Sequence, residues 1–233
     1  MSHFVAIDFE TADPASDSAC AVALVRVEDG RVVRREQRLI RPPRSRFHFT
    51  HVHGIRWQDV ERCPTFGTVW PELAPVLDGA EFLAAHNASF DRRVLEACCA
   101  AAGLAPPALP YRCTVQVARA AWRLFPTRLP DVCRFLGIPL VHHDPMSDAE
   151  ACARIVVAAE VAMAPARAGA PVRAGLASPT SVPSTPAVAV SSGASGASGA
   201  SGASASSGAA VDLGRLRPAI AVAPADVTAA RPR

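Results

Sequence analysis

Lysine is absent from this chain of 233 residues, and all 24 of its permanently basic side chains are arginines. Arginine codons are GC-rich and lysine codons are AT-rich, so this replacement indicates a coding bias and not a function. The net charge of +3 is unevenly distributed, because residues 1–163 carry 18 arginines against 19 acids and residues 164–233 carry six against two. The first 163 residues therefore lack the excess of positive charge with which a protein holds a long nucleic-acid duplex.

Aromatic side chains are absent after Phe135. A hydrophobic core needs large side chains, so we predict one folded domain over residues 1–163. Of the 47 residues from 164 to 210, 38 are Ala, Gly, Ser or Pro, and a Gly-Ala-Ser triplet repeats from Gly193. Such a segment buries too little surface to offset its chain entropy, which predicts a disordered linker. Residues 211–233 are predicted to form a disordered C-terminal tail.

Metal-binding cysteine pairs and long apolar runs are also missing. The seven cysteines are scattered without a CxxC spacing, which argues against a structural zinc site and favours a reducing compartment. No apolar stretch reaches the ~18 residues that span a bilayer, and Asp8 and Glu10 occupy the place where a signal peptide is apolar. The sequence predicts a cytoplasmic protein that has no membrane partner.

The predicted elements begin with strands and continue with helices that alternate with strands. The β-prone runs 19–27 and 31–40 are joined at Glu28-Asp29-Gly30, a hairpin turn signal, and a further strand precedes them at residues 4–9. Helical spacing follows over residues 66–77, where two prolines make the helix short or irregular. Later segments are predicted as strands at residues 81–85 and 111–114 and as helices at residues 89–102, 115–124, 130–136 and 148–163. This order predicts an α/β fold with a mixed sheet flanked by helices.

Two acids stand at the end of the first predicted strand, in the segment FVAIDFET at residues 4–11. Side chains alternate along a strand, so Val5, Ile7 and Phe9 share one face while Asp8 and Glu10 share the other. The Cα atoms of the two acids are expected ~6.5–7 Å apart, which allows both side chains to hold one cation. A strand that simply ends in solvent with exposed acids would show the same pattern.

Two further segments place an acid at the start of a helix. Asp91 follows a buried strand in AHNASFD, residues 85–91, and Asp148 follows the loop HHDPMSD, residues 142–148. The helix dipole favours acids in the first turn and accounts for either residue on its own. A capping box of Ser147 and Glu150 is expected to begin the last helix.

The four acids would repel one another if their three segments converge, unless cations neutralise them. Ligands that are all oxygen favour Mg²⁺ or Mn²⁺, and two such ions would balance four carboxylates. Two divalent ions ~4 Å apart stabilise the attacking and leaving oxygens of a phosphoryl transfer. A neutral histidine can take the proton of the attacking water at physiological pH. The residues therefore point to phosphodiester hydrolysis.

The segments FVAIDFETAD, AHNASFD and HHDPMSDAEA resemble, in order and separation, the three motifs of the DEDD exonuclease superfamily, histidine subtype. The chain is similar from Phe4 to Val161 to the proofreading subunit epsilon of bacterial DNA polymerase III and its stand-alone relatives. The similarity includes HVHGI at residues 51–55 and CTVQVAR at residues 113–119. It implies a ribonuclease H-like fold and removal of nucleoside monophosphates in the 3′ to 5′ direction.

The resemblance also implies roles for individual residues. The ligands of two Mg²⁺ or Mn²⁺ ions are implied to be Asp8, Glu10, Asp91 and Asp148. The general base is implied to be His143, because the family histidine stands five residues before the last aspartate. Contacts with the terminal nucleotide are implied for Thr11, Asn87 and Phe90.

Two departures from the family pattern affect these expectations. The arginine and alanine that usually follow the base histidine are replaced by Asp144 and Pro145, which makes the base loop stiffer and more acidic. No glutamine follows Gln116, so the tail lacks a sliding-clamp peptide of the usual glutamine-led kind. A stand-alone or loosely tethered enzyme is therefore favoured over a dedicated replicative subunit.

We therefore predict a two-metal 3′–5′ exonuclease that acts on single-stranded 3′ ends of DNA in repair or proofreading. The nearest alternative is an enzyme that trims RNA or oligonucleotides with the same site, because the motifs do not encode recognition of the 2′-hydroxyl. The other alternative is a non-catalytic nucleic-acid-binding module whose tail recruits a partner. The sequence identifies neither a protein partner of the tail nor the oligomeric state.

Overall fold

The computed structural model describes residues 1–164 and the backbone of residues 211–212. The predicted linker and nearly all of the predicted C-terminal tail lie outside these residues. Within the described part of the chain, no helix has the length and apolar character needed to cross a membrane.

The first three strands form an antiparallel meander: β1 spans Phe4–Thr11, β2 spans Ala19–Glu28 and β3 spans Arg31–Leu39. Asp29 and Gly30 connect β2 to β3 with φ angles of 49° and 76°. Two consecutive residues with positive φ form the turn that matches the twist of a two-residue hairpin, which is why Asp-Gly predicts it. The predicted hairpin is confirmed.

Two short strands extend the sheet beside β1. β4 spans Leu83–Ala85 and pairs parallel with β1, and β5 spans Tyr111–Cys113 and pairs parallel with β4. A sixth strand, β6 at Val211–Asp212, pairs antiparallel with β3, which gives the order β5-β4-β1-β2-β3-β6. The carboxyl ends of β1, β4 and β5 therefore meet at one edge of a mixed sheet, the edge where open α/β sheets bind ligands.

Helices cover both faces of this sheet. Their bounds are α1 Thr50–His53, α2 Trp57–Val60, α3 Phe66–Leu73, α4 Ser89–Ala101, α5 Thr114–Trp122, α6 Leu129–Leu136 and α7 Pro145–Met163. A 3-10 helix at Ala74–Leu77 directly continues α3, as the predicted irregular helix requires. Apolar residues of α3 and α4 pack with Val5, Ile7 and Phe9, whereas those of α5, α6 and α7 pack with Phe4 and Ala6.

The last helix begins three residues before the predicted start. It spans Pro145–Met163, and its N-cap is Asp144, whose carboxylate accepts a hydrogen bond from the Ser147 amide at 2.8 Å. Glu150 instead pairs with two arginines, at 3.2 and 2.7 Å. The predicted capping box is therefore wrong, because aspartate is as good an N-cap as serine and proline is favoured at the first helical position.

Candidate active site

The end of β1 brings Asp8 and Glu10 to the sheet edge. Val5, Ile7 and Phe9 are buried in one core cluster, as the alternation predicts, so the two acids extend from the opposite face of the strand. Glu10 is 9% exposed. The acids are therefore not a strand end surrounded by solvent.

The first turn of α4 places Asp91 beside this strand end. Asp91 is 2% exposed, and its Oδ1 accepts a hydrogen bond from the Phe9 amide at 3.2 Å. Phe9 lies between Asp8 and Glu10, so this bond fixes the third acid against the segment that carries the first two. The helix dipole alone does not explain an acid that is held by a neighbouring strand.

The first turn of α7 contributes Asp148, which is 4% exposed. Its Oδ2 lies 3.0 Å from His142 Nδ1 and accepts a hydrogen bond from the His143 amide at 3.1 Å. Its Oδ1 is buried and has no hydrogen-bond partner. A buried carboxylate oxygen without a donor is unfavourable unless a cation is bound to it.

The carboxyl groups strongly perturb one another. Burial and the negative charges of Asp91, Asp148 and Glu10 raise the pKa of Asp8 well above its usual range. Burial, with the charges of Asp148 and Asp91, raises the pKa of Glu10 to about 8, and burial raises the pKa of Asp91 to about 8. Burial also raises the pKa of Asp148. The four acids thus form one cluster whose full ionisation needs compensating positive charge, as divalent cations with oxygen ligands provide.

Two histidines lie against this cluster. The rings of His142 and His143 stack with centroids 3.8 Å apart, and their nitrogens and a carboxylate oxygen of Asp148 all lie within 4.8 Å of one another. Burial and the neighbouring His142 lower the pKa of His143, which keeps its imidazole neutral at pH 7. A neutral imidazole at the edge of the acid cluster has the protonation state that a general base requires.

Two residues at the site have left-handed backbone conformations. The φ angle is 63° at Asn87 and 68° at His143. Asparagine and histidine enter this region more often than most side chains, but a non-glycine residue there still carries strain of ~1 kcal/mol or more, and such strain concentrates at functional sites. Both residues are among those that the sequence predicts for the site.

The acid cluster forms part of the wall of a cleft of about 940 Å³. Besides Asp8, Glu10, Asp148 and the two histidines, its lining includes the three residues predicted to contact a nucleotide, Thr11, Asn87 and Phe90. Asp91 lies beneath the cleft, where it is bonded to β1. The structure therefore brings all eight predicted site residues together around one region.

Helix α1 and Phe49, the residue before it, contribute groups for which the sequence predicts no role. Phe49 and Val52 line the cleft. His53 Nδ1 accepts a hydrogen bond from the Ile55 amide at 3.1 Å, so its Nε2 donates to the Thr11 carbonyl, 3.2 Å away. His53 therefore fixes the end of β1 next to Glu10. The family resemblance includes the HVHGI segment, which contains His53. The sequence could not predict the contact of His53 with Thr11, because the two residues are far apart in the chain.

The site residues lie in a segment that matches a known protein family. The protein-family model described as exonuclease matches residues 5–156, which run from β1 almost to the end of α7. The chain belongs to the exonuclease family. The match contains every residue predicted for the site of this exonuclease domain, and family membership implies dependence on divalent metal ions.

The exonuclease domain is similar to part of a much longer enzyme. It is 31% identical over 157 residues to the PolC-type DNA polymerase III of Thermotoga petrophila. The matched region covers 65% of this chain and 11% of that protein, so the chain spans only about a tenth of the length of this relative.

Solved structures show the same fold. Exonuclease X in complex with 5′ overhanging duplex DNA is 25% identical, with a TM-score of 0.57 over 69% of this chain and 92% of that chain. The nuclease domain of 3′hExo, a DEDDh family member bound to rAMP, has a TM-score of 0.59 at 17% identity, covering 67% of this chain and 90% of that chain. The predicted membership of the DEDD exonuclease superfamily and the predicted ribonuclease H-like α/β fold are confirmed.

Proposed function

We propose that this protein is a two-metal 3′–5′ exonuclease that hydrolyses the terminal phosphodiester bond at single-stranded 3′ ends of DNA, in repair or proofreading. The observation that carries this proposal is the buried acid cluster, in which three separated segments meet and Asp148 Oδ1 has no hydrogen-bond partner. The products are nucleoside monophosphates.

Asp8, Glu10, Asp91 and Asp148 would hold the metal ions. Their oxygen ligands suit Mg²⁺ or Mn²⁺, and the raised pKa values of Glu10 and Asp91 support this role, because added positive charge would allow the acids to ionise together at neutral pH. When bound, the two ions supply positive charge at the scissile phosphate and favour ionisation of the attacking water.

His143 accepts the proton of the attacking water. Its pKa is lowered by burial and by His142, so it is neutral and able to take a proton at pH 7. The backbone N–H of His143 donates a hydrogen bond to Asp148 Oδ2 at 3.1 Å, which fixes the base relative to one of the proposed metal-binding acids. His142 contacts the same oxygen through its ring Nδ1, 3.0 Å away, and so orients Asp148.

The terminal nucleotide occupies the cleft beside the acids. Thr11, Asn87 and Phe90 line it together with Val52 of α1 and with Phe49, which directly precedes α1. The aromatic and aliphatic groups suit the faces of a sugar and a base, whereas the threonine hydroxyl and the asparagine amide can bond to polar edges. His53 holds the backbone of Thr11 in place for this contact.

An RNA-trimming exonuclease is the second candidate function. It is favoured by the likeness to 3′hExo, whose nuclease domain was solved with rAMP bound. Both reactions use the same acids and the same base, and they differ in whether the cleft accepts a 2′-hydroxyl.

The test compares single-stranded DNA and RNA of one sequence, labelled at the 5′ end, at one salt concentration and with either Mg²⁺ or EDTA. We expect stepwise shortening from the 3′ end, only with the metal and faster on DNA. Asp148→Asn should lose the activity, whereas Asp78→Asn, which changes an exposed acid outside the cleft, should keep it. Binding of the oligonucleotide without any metal-dependent shortening would instead identify a non-catalytic module.

A further inference from the structure

The cleft continues beyond the acid cluster to a rim that the proposed function does not use. We define this rim as Arg119, Phe125, Arg128 and Arg134, which line the same cleft and belong to α5, α6 and the segment between them. We propose that the rim binds the single-stranded nucleotides upstream of the terminal two, with Phe125 stacked on a base and the arginines on phosphates. This inference rests on the proposed function and describes how the enzyme holds its substrate.

Phe125 is unusually exposed. Its relative exposure of 83% is the highest among the large apolar side chains of the described residues. The apolar residues near it in the chain are packed instead: Trp122 contacts Phe135 with ring centroids 6.0 Å apart, and Leu129 is buried. The local apolar core is thus formed without Phe125, whose exposure is unfavourable in the free protein. An aromatic ring displayed in a cleft wall gains stability when a flat partner covers it.

The segment that carries Phe125 is fixed to the active-site edge of the sheet. Thr127 is 6% exposed, and its carbonyl oxygen lies 3.0 Å from His86 Nε2. Its hydroxyl accepts a hydrogen bond from Arg119 Nε at 3.2 Å. His86 directly follows β4 and precedes Asn87, one of the residues proposed to contact the terminal nucleotide. The segment that carries Phe125 is therefore held in a defined position relative to the proposed site of that nucleotide before substrate binds.

The arginines give the rim a positive charge. Arg128 and Arg134 both pair with Asp131, at 2.9 and 3.3 Å, so two guanidinium groups share one carboxylate. Their side chains stay 81% and 77% exposed, respectively, and exposed ion pairs contribute little to stability. These guanidinium groups can therefore turn towards phosphate oxygens at small cost. Phosphate is a ligand that the planar donors of arginine match well.

The combination selects one class of ligand. Stacking on an aromatic ring is available only to unpaired bases and is tolerant of sequence, while arginines follow the phosphate backbone. A duplex would instead need a long basic surface, and residues 1–163 carry 18 arginines against 19 acids. The rim thus fits a single strand whose 3′ end lies at the acids, and it contributes no contact to a substrate of only two nucleotides.

Steady-state kinetics with Mg²⁺ on a 5′-labelled single-stranded decanucleotide and on a dinucleotide test this inference. Phe125→Ala should raise KM for the decanucleotide by about tenfold, with kcat unchanged, since stacking a base on an aromatic ring is typically worth between about fivefold and a hundredfold in affinity. It should leave both constants for the dinucleotide unchanged. Phe125→Trp should restore the low KM because it keeps an aromatic face, whereas Phe125→Leu should not.

The double variant Arg128→Ala/Arg134→Ala tests the binding of phosphates by the rim. It should raise KM for the decanucleotide and reduce the steepness of its salt dependence by ~0.7 for each phosphate that an arginine no longer neutralises. Arg62→Ala and Val161→Ala remove exposed side chains that do not line the cleft, so these controls should behave as the wild type. Unchanged melting temperatures would exclude unfolding as the cause of a higher KM.

Equilibrium binding of the decanucleotide in EDTA, followed by fluorescence anisotropy, measures the contribution of the rim to affinity separately from hydrolysis. Weaker binding by Phe125→Ala would support the proposed role of the rim even if the wild type failed to cleave the strand. Failure to cleave would refute only the proposed exonuclease activity. If the wild type cleaves the strand and Phe125→Ala changes neither the affinity nor KM, the proposed role of the rim is refuted and the proposed exonuclease function is unaffected. An equal rise in KM for the dinucleotide would also refute the proposed role of the rim.

Discussion

Neutralising one acid of the cluster should make the metal-free protein more stable while removing its activity. Asp91→Asn is the suitable change, because an asparagine oxygen can still accept the hydrogen bond that Phe9 donates at 3.2 Å. Folding raises the pKa of Asp91 to about 8, so the native state binds this proton more tightly than the unfolded state does. The contribution of Asp91 to the stability of the metal-free wild type is therefore greatest below about pH 4, the pKa of this group in the unfolded chain. That contribution is lost as the pH rises towards 8.

The size of the effect follows from the shift. Each pKa unit corresponds to 1.36 kcal/mol, so moving the pKa from 3.8 to about 8 disfavours the ionised native state by on the order of 5 kcal/mol. Burial is the cause of this shift, and because the four acids titrate as one cluster, a single substitution recovers only part of the free energy, ~2–3 kcal/mol at pH 8. For a domain of this size the melting temperature should rise by roughly 5–10 °C.

Differential scanning calorimetry in EDTA at pH 5 and pH 8 measures this difference. We expect Asp91→Asn to melt above the wild type at pH 8 and much closer to it at pH 5. Mn²⁺ at pH 8 should raise the melting temperature of the wild type more than that of the variant. Asp78→Asn, at an exposed acid outside the cleft, should match the wild type throughout. A variant that melts below the wild type at pH 8, or a gap independent of pH, would refute the reasoning.

Three further outcomes are expected. Asp8→Ala and Asp148→Asn should each lower the Mg²⁺-dependent initial rate by at least ~10³-fold while the protein stays folded by circular dichroism, because each removes a charge that holds the metal ions; full activity would contradict the metal assignment. His143→Ala should lower kcat by ~10²–10⁴-fold while metal binding, measured by calorimetry, survives; a loss of that size in His142→Ala instead would transfer the role of base to the neighbouring ring. Deleting residues 170–233 removes the two-residue strand β6 from the edge of the sheet but should leave the melting temperature and the rate on short oligonucleotides nearly unchanged, and a marked fall in either would show that this part of the chain supports the domain.

Much of the fold follows from short-range patterns. The Asp29-Gly30 pair predicts the β2–β3 hairpin because its positive φ angles are a local property of the turn. Alternation in β1 likewise predicts which residues are buried against α3 and α4. The predicted start of α7 is wrong, since Ser147 and Asp144 are both good N-caps and the choice depends on how the loop before the helix packs.

Motif order predicts a set of residues for the site but not the arrangement of their atoms. It predicts the four acids and His143, whereas nothing local to the chain could show that His142 and the His143 amide share Asp148 Oδ2. Nor could it show that His53 holds Thr11 or that Thr127 fixes the segment carrying Phe125. Each of these contacts joins side chains to groups that approach one another only when the whole sheet edge is formed.

The sequence by itself determined the α/β class and membership of the exonuclease superfamily, because periodicity, residue type and motif spacing are properties of the chain alone. Only the tertiary structure decided that the acids meet in a buried cluster whose proton affinities are raised, and that an exposed aromatic ring and its arginines share the cleft. Burial and charge repulsion depend on distances between segments, and those distances are set by the packing of the helices on both faces of the sheet.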